Sequence, residues 1–208
     1  VAIATLISVP FGIASAIYIN ELNGRLRSLV RFLIQAMSGV PSIVAGLFIY
    51  ASLVISGVLK TSALAGGLAY AILMLPTVAR TAEEVLKLVP REVRNAAIAL
   101  GSSRARMIMR IVLPTAKTGL ITAIVLGIAR VVGETAPLIF TTGYASATNI
   151  NPLKDPIATM PVYIFQLLAT GYDFAVRRAW GAALVLLVVV SLLFGIIRTF
   201  SARRARIS

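Results

Sequence analysis

The chain contains no cysteine and no histidine. The first absence removes disulfides, thiolate metal sites and cysteine nucleophiles, and the second removes the side chain that most often moves protons near neutral pH. No G-x-x-x-x-G-K-[ST] element occurs, so the phosphate-cradling loop of an ATPase is missing. Acid is scarce as well, with 7 Asp and Glu against 20 Lys and Arg. Internal repeats and low-complexity tracts are lacking. The sequence opens at Val1 inside an apolar run, with no initiator Met and no basic stretch before it, which argues against an intact signal peptide and for a fragment or trimmed chain. These absences predict a chain that catalyses no reaction and holds no cofactor or metal.

What is present is apolar. Of 208 residues, 59% are hydrophobic and only 13% charged, with a mean hydropathy of +0.94, outside the range of soluble domains. Runs over 1–19, 30–56, 62–79, 118–142 and 179–200 are each long enough to cross a hydrocarbon core about 30 Å thick as a helix. The expected fold is therefore an all-α integral membrane bundle of one domain, 1–208, with five spans. Gly39, Pro41 and Gly46 in GVPSIVAG interrupt the second run, and a proline without an amide donor predicts a kinked or broken helix there. Pro76 and Pro114, near the ends of their spans, read as helix punctuation.

The formal charge of +13 is distributed as membrane topology, not as a nucleic-acid footprint. Arg25, Arg27 and Arg31, then Arg80, Lys87, Arg91, Arg94, Arg104, Arg106, Arg110 and Lys117, then Arg198, Arg203, Arg204 and Arg206 all fall on one side of the proposed spans. Only Lys60, Lys154, Arg177 and Arg178 fall on the other, and Arg130 lies within a span. The rule that Lys and Arg stay inside puts Val1 outside and the C-terminus in the cytoplasm, so a chain beginning inside would need a further helix upstream. The external segment 143–178 holds MPVYIFQLLATGY, too short to span and expected to lie at the interface or cap the bundle.

Two constellations carry chemistry. In the fourth span, Arg130 and Glu134 stand four residues apart, which on one continuous helix places them on one face, as a structural pair or facing a cavity together. Arginine at membrane depth costs about 2.5–3.5 kcal/mol on insertion scales, and its planar fork suits an oxyanion. Pro41 and Ser42, with Gly39 and Gly46, either line a path through the broken helix or let two helices approach closely. The second constellation is the polar segment 80–117, whose apolar residues recur at helical spacing and which Pro90 and Gly101 divide into short helices. Apolar faces outside a bilayer have to be buried, against the bundle or against a partner.

The residues of that hairpin carry a resemblance. Asn95, Ala96, Ala97 and Gly101, followed after nine residues beginning at Ser102 by Ile111, Leu113 and Pro114, match in spacing the EAA motif of ABC-importer permeases, E-A-A, three residues, G, nine residues, I-x-L-P. Asn95 departs from it by replacing the usual Glu, which puts one polar contact in doubt. Together with ARVVGETAPL, GVPSIVAGLF and RTAEEVLKLVPREVRNAAIALG, the chain resembles, over essentially its whole length, the phosphate transport permeases PstA and PstC, and PstA the more closely.

That resemblance implies a type I ABC-importer transmembrane domain in the cell membrane. It implies a second permease subunit of the PstC kind, two cytoplasmic ATPase subunits of the PstB kind, one of which grips residues 95–114, and an extracytoplasmic phosphate-binding protein of the PstS kind. In such an assembly, ATP-driven closure switches the cavity between outward-facing and inward-facing states, and Arg130, Glu134, Ser42 and Pro41 are candidates for the anion's path. Related permeases for sulfate or molybdate and an ion-coupled secondary transporter are the competing expectations. A scaffold that transports nothing would leave the cost of Arg130 unexplained.

Overall fold

The structure, a computed structural model, describes residues 1–205 except 23, 146–148, 150 and 154, with side chains described to residue 195. Lys154 and Arg206, and the side chains of Arg198, Arg203 and Arg204, all counted in the orientation argument, lie outside the described residues. No strand occurs among the described residues.

Small residues decide how the helices meet. Helix α1 (Ala2–Glu21) buries Ala4, Ser8, Gly12 and Ala16, a stripe at every fourth position that lets another backbone approach closely. After α2 (Arg27–Ser38), α3 (Ser42–Ile49) and a π-helical turn (Tyr50–Ile55), that neighbour arrives as α4 (Ala63–Lys87). Helix α4 is the most enclosed element and packs against α1, α2, α3, α7 (Leu113–Val132) and α8 (Ala136–Thr141). Val78 of α4 shows the fit: a Cβ placed on Gly12 of α1 would lie 3.0 Å from one of its methyls, and one on Gly127 of α7 only 2.6 Å from the other. Ser62 caps α4 by accepting from the Ala65 amide at 3.3 Å, and its own amide donates to Thr141 O at 3.0 Å, tying α4 to α8.

Helices α5 (Arg91–Ala99) and α6 (Arg104–Met107) follow α4, and α6 runs through a π-helical turn (Ile108–Val112) into α7. The combined helix Arg104–Val132 has 29 residues, roughly 43 Å at 1.5 Å per residue. That exceeds a hydrocarbon core about 30 Å thick, so its arginine-bearing first turns project beyond the apolar part. Helix α9 (Met160–Ala169) is too short to cross, as expected, and packs on α10 (Asp173–Ala205). Helix α10 leaves Trp180, Leu184, Leu187 and Leu192 outside the bundle. Among the described residues, four helices are long and apolar enough to cross a membrane, and the α2–α3 pair, bent by 104° at Gly39 to Pro41, makes a fifth if it is one span. The chain is thus the all-α membrane bundle expected, with the break where GVPS predicted it.

Several boundaries differ from the reading of the sequence: α10 starts at Asp173, so Arg177 and Arg178 lie within its first turns and not before the span, and two further differences bear on the site. The span expected over 118–142 is not one helix, because α7 ends at Val132 and α8 starts at Ala136. Pro137 has no amide to give the carbonyl of Gly133, so the helical ladder cannot continue, whereas proline is tolerated in the first turn of a new helix. Glu134 consequently lies in the break, not one turn above Arg130 on a shared face. The span expected to end at residue 79 runs on to Lys87, where Glu83, Glu84 and Lys87 pair with one another and with Arg31.

Candidate functional site

Helix α4 presents Leu73, Thr77, Arg80 and Thr81 at helical spacing on one face. With Pro76, with Met37 and Ser38 from the end of α2, and with Arg130 from the last turn of α7, they line a cavity of about 330 Å³. Both guanidinium groups are exposed within the chain, and neither takes part in an ion pair among the described residues. Arg130 also sits where the unpaired carbonyls of α7 concentrate partial negative charge, so the helix end offsets part of the cost of the cation. Two arginines and the hydroxyls of Thr77 and Thr81 around one space form a donor set for an oxyanion, with no carboxylate among the lining residues, while the Ser38 hydroxyl donates its proton to Ile34 O at 2.9 Å.

A second cavity, about 610 Å³, shares Arg80 and Thr81 with the first and opens toward the charged end of α4. Its wall holds Glu83, a largely buried carboxylate that accepts from Arg31 at 2.8 Å and from Lys87 at 3.0 Å, while Lys87 also reaches Glu84 at 2.7 Å. The cationic wall therefore continues from Arg130 through Arg80 to a zone of compensated charge.

The candidate path residues divide. Arg130 lines the cavity; Glu134 is half-buried in the helix break, forms no ion pair among those described, and its backbone carbonyl accepts from Tyr70 Oη. Pro41 is exposed and Ser42 half-buried at the α2–α3 bend, one turn beyond the lining residues Met37 and Ser38. Gly46 has a packing reason to be glycine, since a Cβ there would lie 2.5 Å from Pro137 Cα. Arg80 was not singled out from the sequence because it stands one residue past the expected end of its span. The signal available was the periodicity from Leu73 through Thr77, which continues to Arg80 and Thr81.

The hairpin is built by helix termination. Leu100 ends α5, the Gly101 amide donates to Ile98 O at 2.9 Å, and the Ser102 amide donates to Ala97 O at 3.1 Å, the paired bonds of a Schellman turn. Gly101 has φ +80°, a conformation that L side chains rarely adopt. Ala97 and, more loosely, Ile111 and Leu113 pack inward with Leu86, Val89 and Val112. Asn95, Ala96 and Pro114 are exposed, Ser102 is half-buried, and Leu88, Ile98 and Leu100 offer apolar surface that no described residue covers. Inside the hairpin, Arg94 pairs with the buried carboxylate of Glu21 at the end of α1, 2.7 Å away. Glu21 was also missed from the sequence, where it reads as an ordinary charge at the edge of a span.

Residues 8–207 match the family described as binding-protein-dependent transport system inner membrane component. Among curated relatives, the chain is 40% identical over 209 residues to the phosphate transport system permease protein PstA 1 of Mycobacterium tuberculosis, covering 99% of this chain and 68% of that one. It is 40% identical over 195 residues to the phosphate transport system permease protein PstA of Haemophilus influenzae, covering 92% and 68%. Among solved structures, an inward-facing MetNI methionine ABC transporter matches with a TM-score of 0.71 at 19% identity, covering 98% of this chain and 87% of that one. An amino acid ABC transporter matches with a TM-score of 0.64 at 18% identity, covering 96% and 88%. At those identities the structures speak for the fold, which is that of a type I ABC-importer permease.

Proposed function

This chain belongs to the binding-protein-dependent transport system inner membrane component family, and within it to the PstA group of phosphate transport permeases; from that premise we propose that it conducts inorganic phosphate into the cytoplasm as one permease subunit of an ATP-driven importer. The observation that carries the reading is the pair of guanidinium groups, Arg80 and Arg130, without carboxylate partners around one hydroxyl-lined cavity. A tetrahedral oxyanion takes bidentate hydrogen bonds from each fork and further bonds from the hydroxyls of Thr77 and Thr81. Glu134, Pro41 and Ser42 flank this path at the two helix breaks, outside the lining of the cavity.

Residues 80–117 form the cytoplasmic coupling segment, residues 143–178 face the extracytoplasmic side, and the C-terminus is cytoplasmic. One of two ATPase subunits grips the exposed faces of Asn95, Ala96, Ile98, Leu100 and Pro114; Gly101 and Ser102 hold the turn, and Ala97, Ile111 and Leu113 seat it on the bundle. A second, PstC-like permease completes the pathway, and an extracytoplasmic phosphate-binding protein delivers the cargo. ATP binding closes the ATPase dimer, and the hairpins transmit that closure to alternate the access of the cavity.

The test is reconstitution of the whole complex in proteoliposomes with each loaded binding protein in turn. Phosphate uptake that requires ATP, with hydrolysis stimulated by phosphate, is the expected result. Stimulation by sulfate or molybdate in place of phosphate would overturn the cargo, and uptake without any nucleotide-hydrolysing subunit would overturn the class.

A further inference from the structure

Glu21 is the last residue of α1, and its side chain is 3% exposed. Both circumstances disfavour a carboxylate: burial removes its hydration, and the carbonyl end of a helix repels negative charge. Arg94 of α5 compensates. Its Nη2 donates to Glu21 Oε1 at 2.7 Å and its Nε donates to Glu21 Oε2 at 3.1 Å, a two-point grip.

The same guanidinium also closes the end of α4. Nη2 donates to Leu86 O at 2.8 Å, which also accepts from the Val89 amide at 3.3 Å, and Nη1 donates to Val89 O, two residues past the end of α4. One side chain therefore joins α5 to the termini of α1 and α4, the two helices most extensively packed against each other. Otherwise α5 is thinly held, with Ala97 its one buried residue. Six residues, or about 9 Å of helix, separate Leu86 from Arg80 in the cavity wall.

From these contacts we infer that Glu21 and Arg94 form the strut through which movement of α5 reaches the helices carrying the anion cavity. They are positioning residues for transport that touch neither cargo nor nucleotide. The inference rests on the proposed docking of α5 against an ATPase subunit. A push or pull on α5 is taken up by the bidentate pair and the two carbonyl bonds, and moves α1 and α4 as one body. Without the pair, α5 can follow its partner while the bundle stays behind.

The test uses the complete complex in proteoliposomes and reads cargo transported per ATP hydrolysed. Glu21→Gln keeps the shape and an acceptor oxygen but removes the charge; the expected outcome is assembly and basal hydrolysis at wild-type levels, with the ratio lowered about tenfold. Arg94→Lys keeps a cation but loses the fork, and the ratio for the double variant should fall no further than for the more affected single variant. An unchanged ratio in Glu21→Gln overturns the inference. So do losses that multiply in the double variant, or lost assembly with a normal ratio in whatever complex remains. Docking is read separately: a cysteine introduced at Leu100 should cross-link to the ATPase subunit equally well in the parent and in the Glu21→Gln background. Absence of that cross-link with Glu21 intact sinks the docking reading, whereas its loss only in Glu21→Gln shows that the pair folds α5 instead of coupling it, which overturns the inference.

Discussion

Arg130 and Arg80 face the same cavity from different helices, so each contributes bonds that the other cannot replace. A hydrogen bond to a charged group is worth about 1.5–3 kcal/mol, so replacing either arginine with alanine should slow phosphate uptake by about one to two orders of magnitude. Assembly should survive, because neither guanidinium holds an ion pair among the described residues. Uptake at the parental rate by assembled Arg130→Ala would leave that arginine a structural role only. Arg130 was legible in the sequence because a cation inside an apolar run is costly enough to need either a structural partner or a polar path. Arg80 and Glu21 were not, because a charge beside the end of a run looks like ordinary flanking until the helix is known to continue, or the carboxylate is known to be buried.

Breaks and turns define the elements, and each has a residue that can be tested. At Gly101 an added Cβ would meet nothing within 4 Å, so the cost of Gly101→Ala lies in the backbone at φ +80° and should be about 1–2 kcal/mol. Gly101→Asn should cost less, since asparagine enters that conformation more readily, and thermal unfolding with co-purification of the ATPase subunit measures both. Gly46→Ala differs in mechanism: its methyl would press on the Pro137 backbone, force α3 and α8 apart, and cost about 1–3 kcal/mol of stability. A Gly46→Ala variant that melts with the parent would mean that these helices yield easily. The bend at Gly39 to Pro41 and the hairpin were legible because proline and glycine interrupt strongly apolar or periodic runs. The break at Gly133 was hidden because a proline four residues on decides it, while apolarity continues through Leu138 and Ile139.

At the scale of the molecule, the proposed orientation follows from where the basic residues gather. Contacts bring the end of α1, the start of α2, the end of α4 and α5 together, since Glu21 meets Arg94 and Arg31 meets Glu83. The opposite end joins Ser62 to Thr141 and Leu64 to Pro152. One end thus carries Arg27, Arg91, Arg94, Arg104 and Arg106, and the proposed orientation puts that end in the cytoplasm. Because the chain has no cysteine, single introduced thiols report on each end without background from it. Ser28→Cys, at the exposed start of α2, should react with a membrane-impermeant maleimide only after the cells are opened, and Lys60→Cys, in the exposed turn before α4, should react in intact cells. The reverse pattern would put the arginine-rich hairpin outside, beyond the reach of any cytoplasmic ATPase, and would remove the importer reading while leaving the helix bundle intact.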